Sequence, residues 1–94
     1  MSEAEAWKFL AQEWRRLAAG KRRTRYVRHG ICDSTYVLCW HKQISFNVFD
    51  RMTAKIKTLG KSLGFGYTIF WPLNKAGYKA RSEFCARMAF LCSS

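Results

Sequence analysis

"SEAEAWKFLAQEWRRLAAG", residues 2–20, predicts an amphipathic helix, the element from which the rest of the fold is inferred. Ser2 and Glu5 have the spacing of a capping box, in which each side chain accepts a hydrogen bond from a backbone N–H that the first helical turn leaves unpaired. Gly20 suits the residue after the helix end, where a positive φ is common. The predicted buried stripe consists of Trp7, Leu10, Trp14 and Leu17.

Two further segments are interpreted in the same way. "ICDSTYVLCWHK", residues 31–42, holds β-branched and aromatic residues that favour a strand, yet its apolar residues also fall on shared helical faces. We interpret it as a helix, because a lone strand at this point of the chain has no obvious neighbour with which to pair. "ISFNVFDRMTAKIKTLG", residues 44–60, predicts a helix with Ser45 as its N-cap and Gly60 as its end.

The last helix is predicted over "NKAGYKARSEFCARMAFLC", residues 74–92, with Asn74 as its N-cap. Gly77 in the first turn lowers helix stability, which indicates that another backbone or a ligand approaches closely there. Four helices in 94 residues predict a single domain, residues 1–94, with an all-α four-helix-bundle fold. The expected departure from that fold is a short extended segment near residues 65–71. The core stripe of the last helix is predicted to be Ala80, Phe84, Met88 and Leu91.

The charge of the chain predicts an acidic partner. Seventeen lysines and arginines stand against six aspartates and glutamates, so the net charge is +11. Such an imbalance attracts polyanions and destabilises the compact state by self-repulsion. The partners consistent with it are a nucleotide, a nucleic acid, an anionic lipid surface or an acidic protein. No apolar run is long enough to cross a bilayer and the N-terminus has no apolar signal segment, so we expect a cytoplasmic protein.

The stretch "KRRTRYVRHG", residues 21–30, concentrates this charge. From Arg15 to Arg28 the chain has seven lysines and arginines and no acidic residue. The planar guanidinium of arginine matches two phosphate oxygens, and an aromatic ring within the run offers a face on which a base can stack. The alternative is a solvated linker. The ligand-binding residues predicted in this stretch are Arg22, Arg23, Arg25, Tyr26 and Arg28.

A second basic cluster opens the last helix, where free backbone N–H groups and the helix dipole favour an anion. We predict that Lys75, Lys79 and Arg81 bind phosphate there. Trp71, in the preceding loop, is the predicted stacking partner of a base. If the basic stretch folds toward this helix start, the two clusters form one phosphate-sized pocket beside Trp71. The tryptophans expected in the core are Trp7, Trp14 and Trp40.

The four cysteines are predicted to be free thiols packed as small apolar groups. They form two pairs separated by seven residues, or two helical turns, which is too far for a disulfide within one helix, although a bridge between the pairs stays geometrically open. A metal site would have to combine His29, Cys32, Cys39 and His41. That spacing lacks a C-x-x-C knuckle, so we predict no metal. The chain also lacks a P-loop and a close pair of carboxylates, which favours a binding protein without a cofactor over an enzyme.

Residues 30–92 contain a succession of short pieces of sequence: "GIC" at 30–32, "IS" at 44–45, Met52, "FWP" at 70–72, Gly77, Arg81 and "FC" at 84–85. This succession is similar to small accessory proteins of tailed phages and prophages. The resemblance implies a role in the cytoplasm of a host cell, either in countering host defence or in redirecting host machinery. No catalytic residue is carried over from it.

These observations favour a phage accessory protein that sequesters a phosphate-bearing nucleotide, for example a signalling nucleotide of a bacterial immune system. Arginines would hold the phosphates, an aromatic ring would stack on the base, and no bond would be broken. The first alternative is a DNA- or RNA-binding protein that uses the basic surface on a phosphate backbone. The second is a protein inhibitor that covers a host effector, as anti-CRISPR proteins do. The abundance of aromatic residues is compatible with a homo-oligomer, and membrane binding is the least favoured function.

Overall fold

Four helices form the fold in a computed structural model that describes residues 1–27, 30–62 and 71–93, with side chains for all of these except residues 60–62 and 93. The described residues contain no strand, so the predicted all-α class is confirmed. The predicted extended segment near residues 65–71 lies mostly outside the described residues, and Trp71 belongs to no helix or strand. The helices are α1 (Glu3–Ala18), α2 (Ile31–Trp40), α3 (Phe46–Ser62) and α4 (Lys75–Ser93).

Both ends of α1 have the predicted caps. The capping box is complete, because Ser2 N donates to Glu5 Oε1 at 2.8 Å and Glu5 N donates to Ser2 Oγ at 3.2 Å. At the other end Lys21 N donates to Arg16 O at 2.9 Å, five residues back, and Gly20 adopts a φ of +83°. This pattern is a Schellman motif, which turns the basic stretch sharply away from the helix axis.

The remaining helices agree with the sequence except at two ends. The segment predicted as a helix over residues 31–42 is helical from Ile31 to Trp40, and the chain turns at Lys42, whose φ is +59°. Asn74 Oδ1 accepts a hydrogen bond from Gly77 N at 2.9 Å as the N-cap of α4. Ser45 Oγ accepts from Val48 N at 3.2 Å before α3. Gly60 does not end α3, which continues to Ser62, because a glycine costs a helix only about 1 kcal/mol and keeps its N–H.

Helices α1 and α4 pack antiparallel and form most of the core. Ser82 Oγ donates to the carbonyl oxygen of Ala11 at 2.8 Å, and the rings of Trp14 and Tyr78 stack with their centroids 5.9 Å apart. Trp7 and Trp14 are fully buried, as predicted. The pairing of residue 11 with residue 82 therefore fixes the register of the two helices.

Two predictions about the core are wrong. The buried face of α4 is rotated by about one residue relative to the predicted stripe. Leu91 is therefore 55% exposed, whereas Ser82 and Cys85 are buried. The rotation is possible because Ser82 satisfies its hydroxyl on the backbone of α1. Trp40 is 70% exposed instead of buried, because the described core is filled from the other side of α2 by Ile31 and Leu38.

The segment before α4 lies directly against the first turn of that helix. A Cβ atom added to Gly77 would stand 1.7 Å from the carbonyl oxygen of Pro72, which confirms the close backbone approach predicted from the sequence. The guanidinium of Arg81 holds the same segment by donating to Trp71 O at 2.6 Å and to Pro72 O at 3.0 Å. The start of α4 is therefore fixed by a glycine and an arginine together.

We predict that Gly77→Ala lowers the free energy of unfolding by about 2–4 kcal/mol, because the new methyl group would displace the backbone at Pro72. The matched control is Gly30→Ala, whose Cβ would meet nothing nearer than Asp33 Oδ2 at 4.0 Å and which should cost less than about 1 kcal/mol. Urea denaturation of both variants measures the difference. Equal losses in the two variants would contradict the close approach.

Glu3 connects three helices at the opposite end of α1. Its carboxylate accepts hydrogen bonds from Arg51 Nε at 3.2 Å, from Lys55 Nζ of α3 and from Cys92 Sγ of α4 at 3.2 Å. Trp7 Nε1 completes the set at 3.0 Å. Partial burial alone would raise the pKa of Glu3, but the hydrogen bonds it accepts, led by the one from Lys55, lower that pKa from 4.5 to about 2.

Because the pKa is lowered in the folded state, Glu3 should stabilise the protein fully above about pH 4.5 and lose that effect as the pH falls toward 2. We predict that Glu3→Gln costs about 1–2 kcal/mol near neutral pH, after allowance for solvent screening, and that its difference from the unmodified protein shrinks steadily toward pH 2. Denaturation curves across this pH range measure it, with the exposed Glu83→Gln as control. A cost of Glu3→Gln that does not change with pH would contradict the prediction.

Candidate anion-binding surface

The described residues of the basic stretch from Lys21 to Val27 are attached to α1 and do not form a free linker. Thr24 Oγ1 donates to Glu13 Oε1 at 2.9 Å, and the ring of Tyr26 meets the ring of Phe9 edge-on at 5.2 Å. Val27, with 1% of its surface exposed, enters the core. The chain therefore runs back along α1 after Gly20, with its small and apolar side chains turned inward.

The cations of the stretch point outward and join those of α1. Glu13, whose side chain is 12% exposed, is turned toward Thr24 and lies 3.9 Å from Arg16, so it offsets little of the charge. Together, α1 and the described part of the stretch present seven exposed cations. We call them the basic surface: Lys8, Arg15, Arg16, Lys21, Arg22, Arg23 and Arg25. Arg28, the remaining arginine predicted in the stretch, lies outside the described residues.

A groove of about 520 Å³ borders the basic surface between α1 and α4. Lys8, Gln12 and Arg15 form its α1 wall, and Phe90, which is 71% exposed, forms part of its α4 wall. Glu5 lies near one end and is engaged in the capping box. The groove is open because its floor consists of small side chains: Ala4, Ala11, Ala86 and Ala89.

Further cations lie at the end of the α1–α4 pair where Arg15 stands. Because Trp14 pairs with Tyr78 in antiparallel helices, Arg15 stands near the level of Gly77, between Lys75 and Lys79. Lys79 precedes Ala86 by seven residues, or two turns, and therefore lies on the same side of α4. The exposed Glu83 precedes Phe90 by seven residues and lies on that side as well. Lys75 and Lys79 are exposed, and they share one end of the molecule with the C-terminal turn of α1. The second predicted basic cluster thus lies at the end of the molecule where the basic stretch begins, whereas the stretch itself then runs back along α1 with Thr24 at Glu13 and Tyr26 at Phe9.

Arg81 is the predicted ligand-binding residue whose position requires a correction. It is 2% exposed, and its guanidinium carbon lies 5.1 Å from the ring centre of Trp14. Burial lowers the pKa of Arg81. Because the side chain is occupied by the backbone carbonyls of Trp71 and Pro72, it serves the packing of α4 and we leave it out of the proposed site.

The two predicted stacking residues are both half-buried against other rings. Tyr26 lies between Phe9 and His41, at 5.2 and 6.0 Å. Trp71 packs on Phe84 at 5.9 Å, on the side of α4 away from the groove. The described residues therefore do not assemble a pocket that combines Trp71 with the basic stretch.

Phe90 is the aromatic residue at the groove that the sequence reasoning missed. The sequence pattern assigns it neither to the predicted core stripe of the last helix nor to a ligand site. The signal available was on α1, where Lys8, Gln12 and Arg15 follow one another at four and three residues and so share a polar face. That α4 forms the other wall of the groove follows only from the way in which the two helices pack.

The cysteines show no metal-binding arrangement among the residues that the structure describes. All four are free thiols, and Cys85 is fully buried, which raises the pKa of its thiol. The described residues contain no group of three or more histidine, cysteine or acidic side chains able to hold a metal ion. His29, one member of the metal site considered from the sequence, lies outside them.

Comparison of the chain with protein-family models, with curated proteins and with solved structures gives no match. Within residues 1–27, 30–62 and 71–93, no helix has the length and apolar character needed to cross a membrane. The function is therefore inferred from the chain's own residues.

Proposed function

We propose that this protein binds a phosphate-bearing nucleotide in the α1–α4 groove and sequesters it without chemical change. The observation that carries the proposal is that Lys8 and Arg15 line the same groove as the exposed ring of Phe90. Phosphate needs cationic donors and a base needs an apolar face, and this groove offers both within one open space.

The two ends of the groove suit the two ends of a nucleotide. In the antiparallel register Phe90 lies near the N-terminal turns of α1, whereas Arg15 lies seven residues, or roughly 10 Å, beyond Lys8 toward the cationic end. Glu5 repels phosphate at the Phe90 end. A base on Phe90 would therefore direct its phosphates toward Lys8 and Arg15, and Gln12 between them could donate or accept a hydrogen bond.

The resemblance to phage accessory proteins supports a biological setting for such capture. A small protein that removes a signalling nucleotide from a bacterial immune system needs affinity and abundance, and it needs no catalytic group. Under this proposal the protein is not an enzyme and acts in the cytoplasm of the host cell.

A second candidate function is the binding of DNA or RNA through the phosphate backbone. The observation that favours it is the extent of the basic surface, which continues beyond the groove over Arg16 to Arg22, Arg23 and Arg25. Seven outward cations exceed what one nucleotide can contact, and a backbone could follow them across α1.

Calorimetric titration with ATP, with a cyclic dinucleotide and with a short DNA duplex distinguishes these functions. We predict that Phe90→Ala and Arg15→Glu each weaken binding of the nucleotide by about tenfold or more, because stacking and charge-assisted contacts each contribute at least about 1.4 kcal/mol. The matched control is Lys57→Glu, which reverses an exposed lysine of α3 outside the groove and should leave nucleotide binding almost unchanged.

Salt dependence provides the second readout. A nucleotide with few phosphates should show a shallow dependence, whereas a duplex that contacts most of the basic surface should lose affinity with a slope of about −0.9 per phosphate in a double-logarithmic plot. If Phe90→Ala and Arg15→Glu leave the affinity for the nucleotide unchanged, the groove proposal is wrong. Tight, steeply salt-dependent duplex binding that disappears when Arg22, Arg23 and Arg25 are changed to Glu would establish the second candidate in its place.

A further inference from the structure

Large aromatic side chains are exposed on α2 and on the first turn of α3. Tyr36, Trp40 and Phe46 are 54%, 70% and 72% exposed. Their rings form a continuous row through half-buried Phe49, since Tyr36 lies 6.0 Å from Trp40 and 6.2 Å from Phe49, which lies 6.1 Å from Phe46. We call Tyr36, Trp40, Phe46 and Phe49 the aromatic face.

A groove of about 650 Å³ lies between Trp40 and Phe46. Its floor includes Ile44 and Cys39, and Met1, which is 42% exposed, stands at its edge. Lys42, Gln43 and Ser45 supply its polar lining. Exposed rings on both sides of an open groove are typical of a surface that another molecule covers. None of the residues that line this groove also lines the α1–α4 groove.

The local charge indicates which kind of molecule fits. Residues 31–50 hold two acids, Asp33 and Asp50, and one lysine, Lys42. The N-terminal ammonium of Met1 donates to Gln43 O at 2.7 Å in the same groove, so this surface is close to neutral. The side chains of the whole chain carry +11, so those outside residues 31–50 carry +12. A polyanion has little reason to choose this segment, whereas it is the part of the chain over which two identical cationic molecules repel each other least.

We infer that the aromatic face binds a second copy of this chain in a symmetric dimer. In a two-fold interface the same patch meets itself, so Trp40 of one protomer faces the groove beside Phe46 of its partner. Lys42 at the rim of one patch then has Asp33 and Asp50 of the other patch as complementary charges. The α1–α4 groove of each protomer stays open in this arrangement, because it shares no lining residue with the aromatic face.

The area limits the strength of the dimer. An aromatic side chain buries about 150–250 Å² when fully covered, so at their exposed fractions the three rings offer on the order of 400 Å² per protomer. Over both protomers the rings offer on the order of 800 Å², below the roughly 1,200–2,000 Å² found in stable interfaces. The dimer is therefore weak and concentration-dependent.

Sedimentation velocity over a range of about 1–100 µM tests the inference. The weight-average mass should rise from 11.0 kDa toward twice that value, and Phe46→Ser combined with Trp40→Ala should hold it at the monomer mass. Phe90→Ala is the matched control, because Phe90 is as exposed as Phe46 but lies outside the aromatic face, and this variant should dimerise normally. Should the doubly substituted chain fail to fold, Trp40→Ala alone serves instead and should weaken the dimer, because Trp40 is 70% exposed and its loss leaves the net charge unchanged.

Salt separates this dimer from association bridged by nucleic acid. Screening reduces the repulsion between two chains of charge +11, so raising the salt concentration should strengthen the dimer. Association through a bound nucleic acid should instead weaken as the salt concentration rises. Collisional quenching gives an independent readout, because Trp7 and Trp14 are fully buried and Trp40 is the most exposed tryptophan among the described residues. Its quenching should fall as the dimer forms.

A chain that stays monomeric at every concentration would overturn the inference. So would a dimer that is unaffected by Trp40→Ala with Phe46→Ser, or one that Phe90→Ala disrupts equally. Each of these results is a measurement of the mass of the protein, so none of them decides whether the protein binds a nucleotide.

Discussion

The fold depends on the packing of Trp14 between a ring and a cation of α4. Tyr78 stacks on one part of the indole at 5.9 Å, and the guanidinium of Arg81 lies 5.1 Å from its ring centre. These contacts lock the last turns of α1 onto the first turns of α4. The antiparallel register that results places Arg15 between the levels of Lys75 and Lys79, so it also decides which cations lie at this end of the α1–α4 pair.

The same arginine explains why the segment before α4 has a defined position. Arg81 donates to Trp71 O and Pro72 O while its flat face covers Trp14, so one side chain links the core to the backbone of a loop. A lysine could supply the charge at this position but not the fork of donors together with the flat face. Burial of such a cation is tolerable because carbonyl oxygens and an aromatic ring surround it.

The local signals of the sequence were sufficient for the helices but not for their faces. The caps at Ser2, Ser45 and Asn74 and the close approach at Gly77 depend on neighbours within a few residues, so spacing predicts them. Arg81 was misjudged because a charged side chain is normally exposed, and only the tertiary contact with Trp14 offsets its desolvation.

The candidate site was predicted in part for the same reason. The lysine and arginines that follow α1 are exposed, and both predicted roles of the stretch, a solvated linker or a ligand-binding site, require this. Their charge is already evident from the composition. Phe90 and Lys8 become neighbours of one groove only through the register of two helices far apart in sequence. Trp40 was expected in the core, because residue type alone does not show which side of a short helix meets the rest of the protein.

The distribution of charge gives the molecule two chemically different sides. Glu3 pairs with Arg51 and Lys55 of α3, and Glu13 pairs with Arg16, so Arg16 is the one cation of the basic surface that these two acids partly offset. The basic surface on α1 is consequently strong, whereas the aromatic face on α2 and α3 has almost no net charge. A polyanionic ligand and a second copy of the chain can thus be accommodated on separate surfaces.

The most direct measurement of the central claim is an NMR titration of the ¹⁵N-labelled protein with ATP, read as backbone amide shifts. The account predicts that the shifts concentrate on α1 from Lys8 to Arg16 and on α4 from Ala86 to Phe90, with smaller changes at the arginines after Gly20. Shifts confined to Trp71 and its surroundings, or to the aromatic face, would contradict the placement of the ligand in the α1–α4 groove. The absence of any shift would contradict nucleotide binding itself.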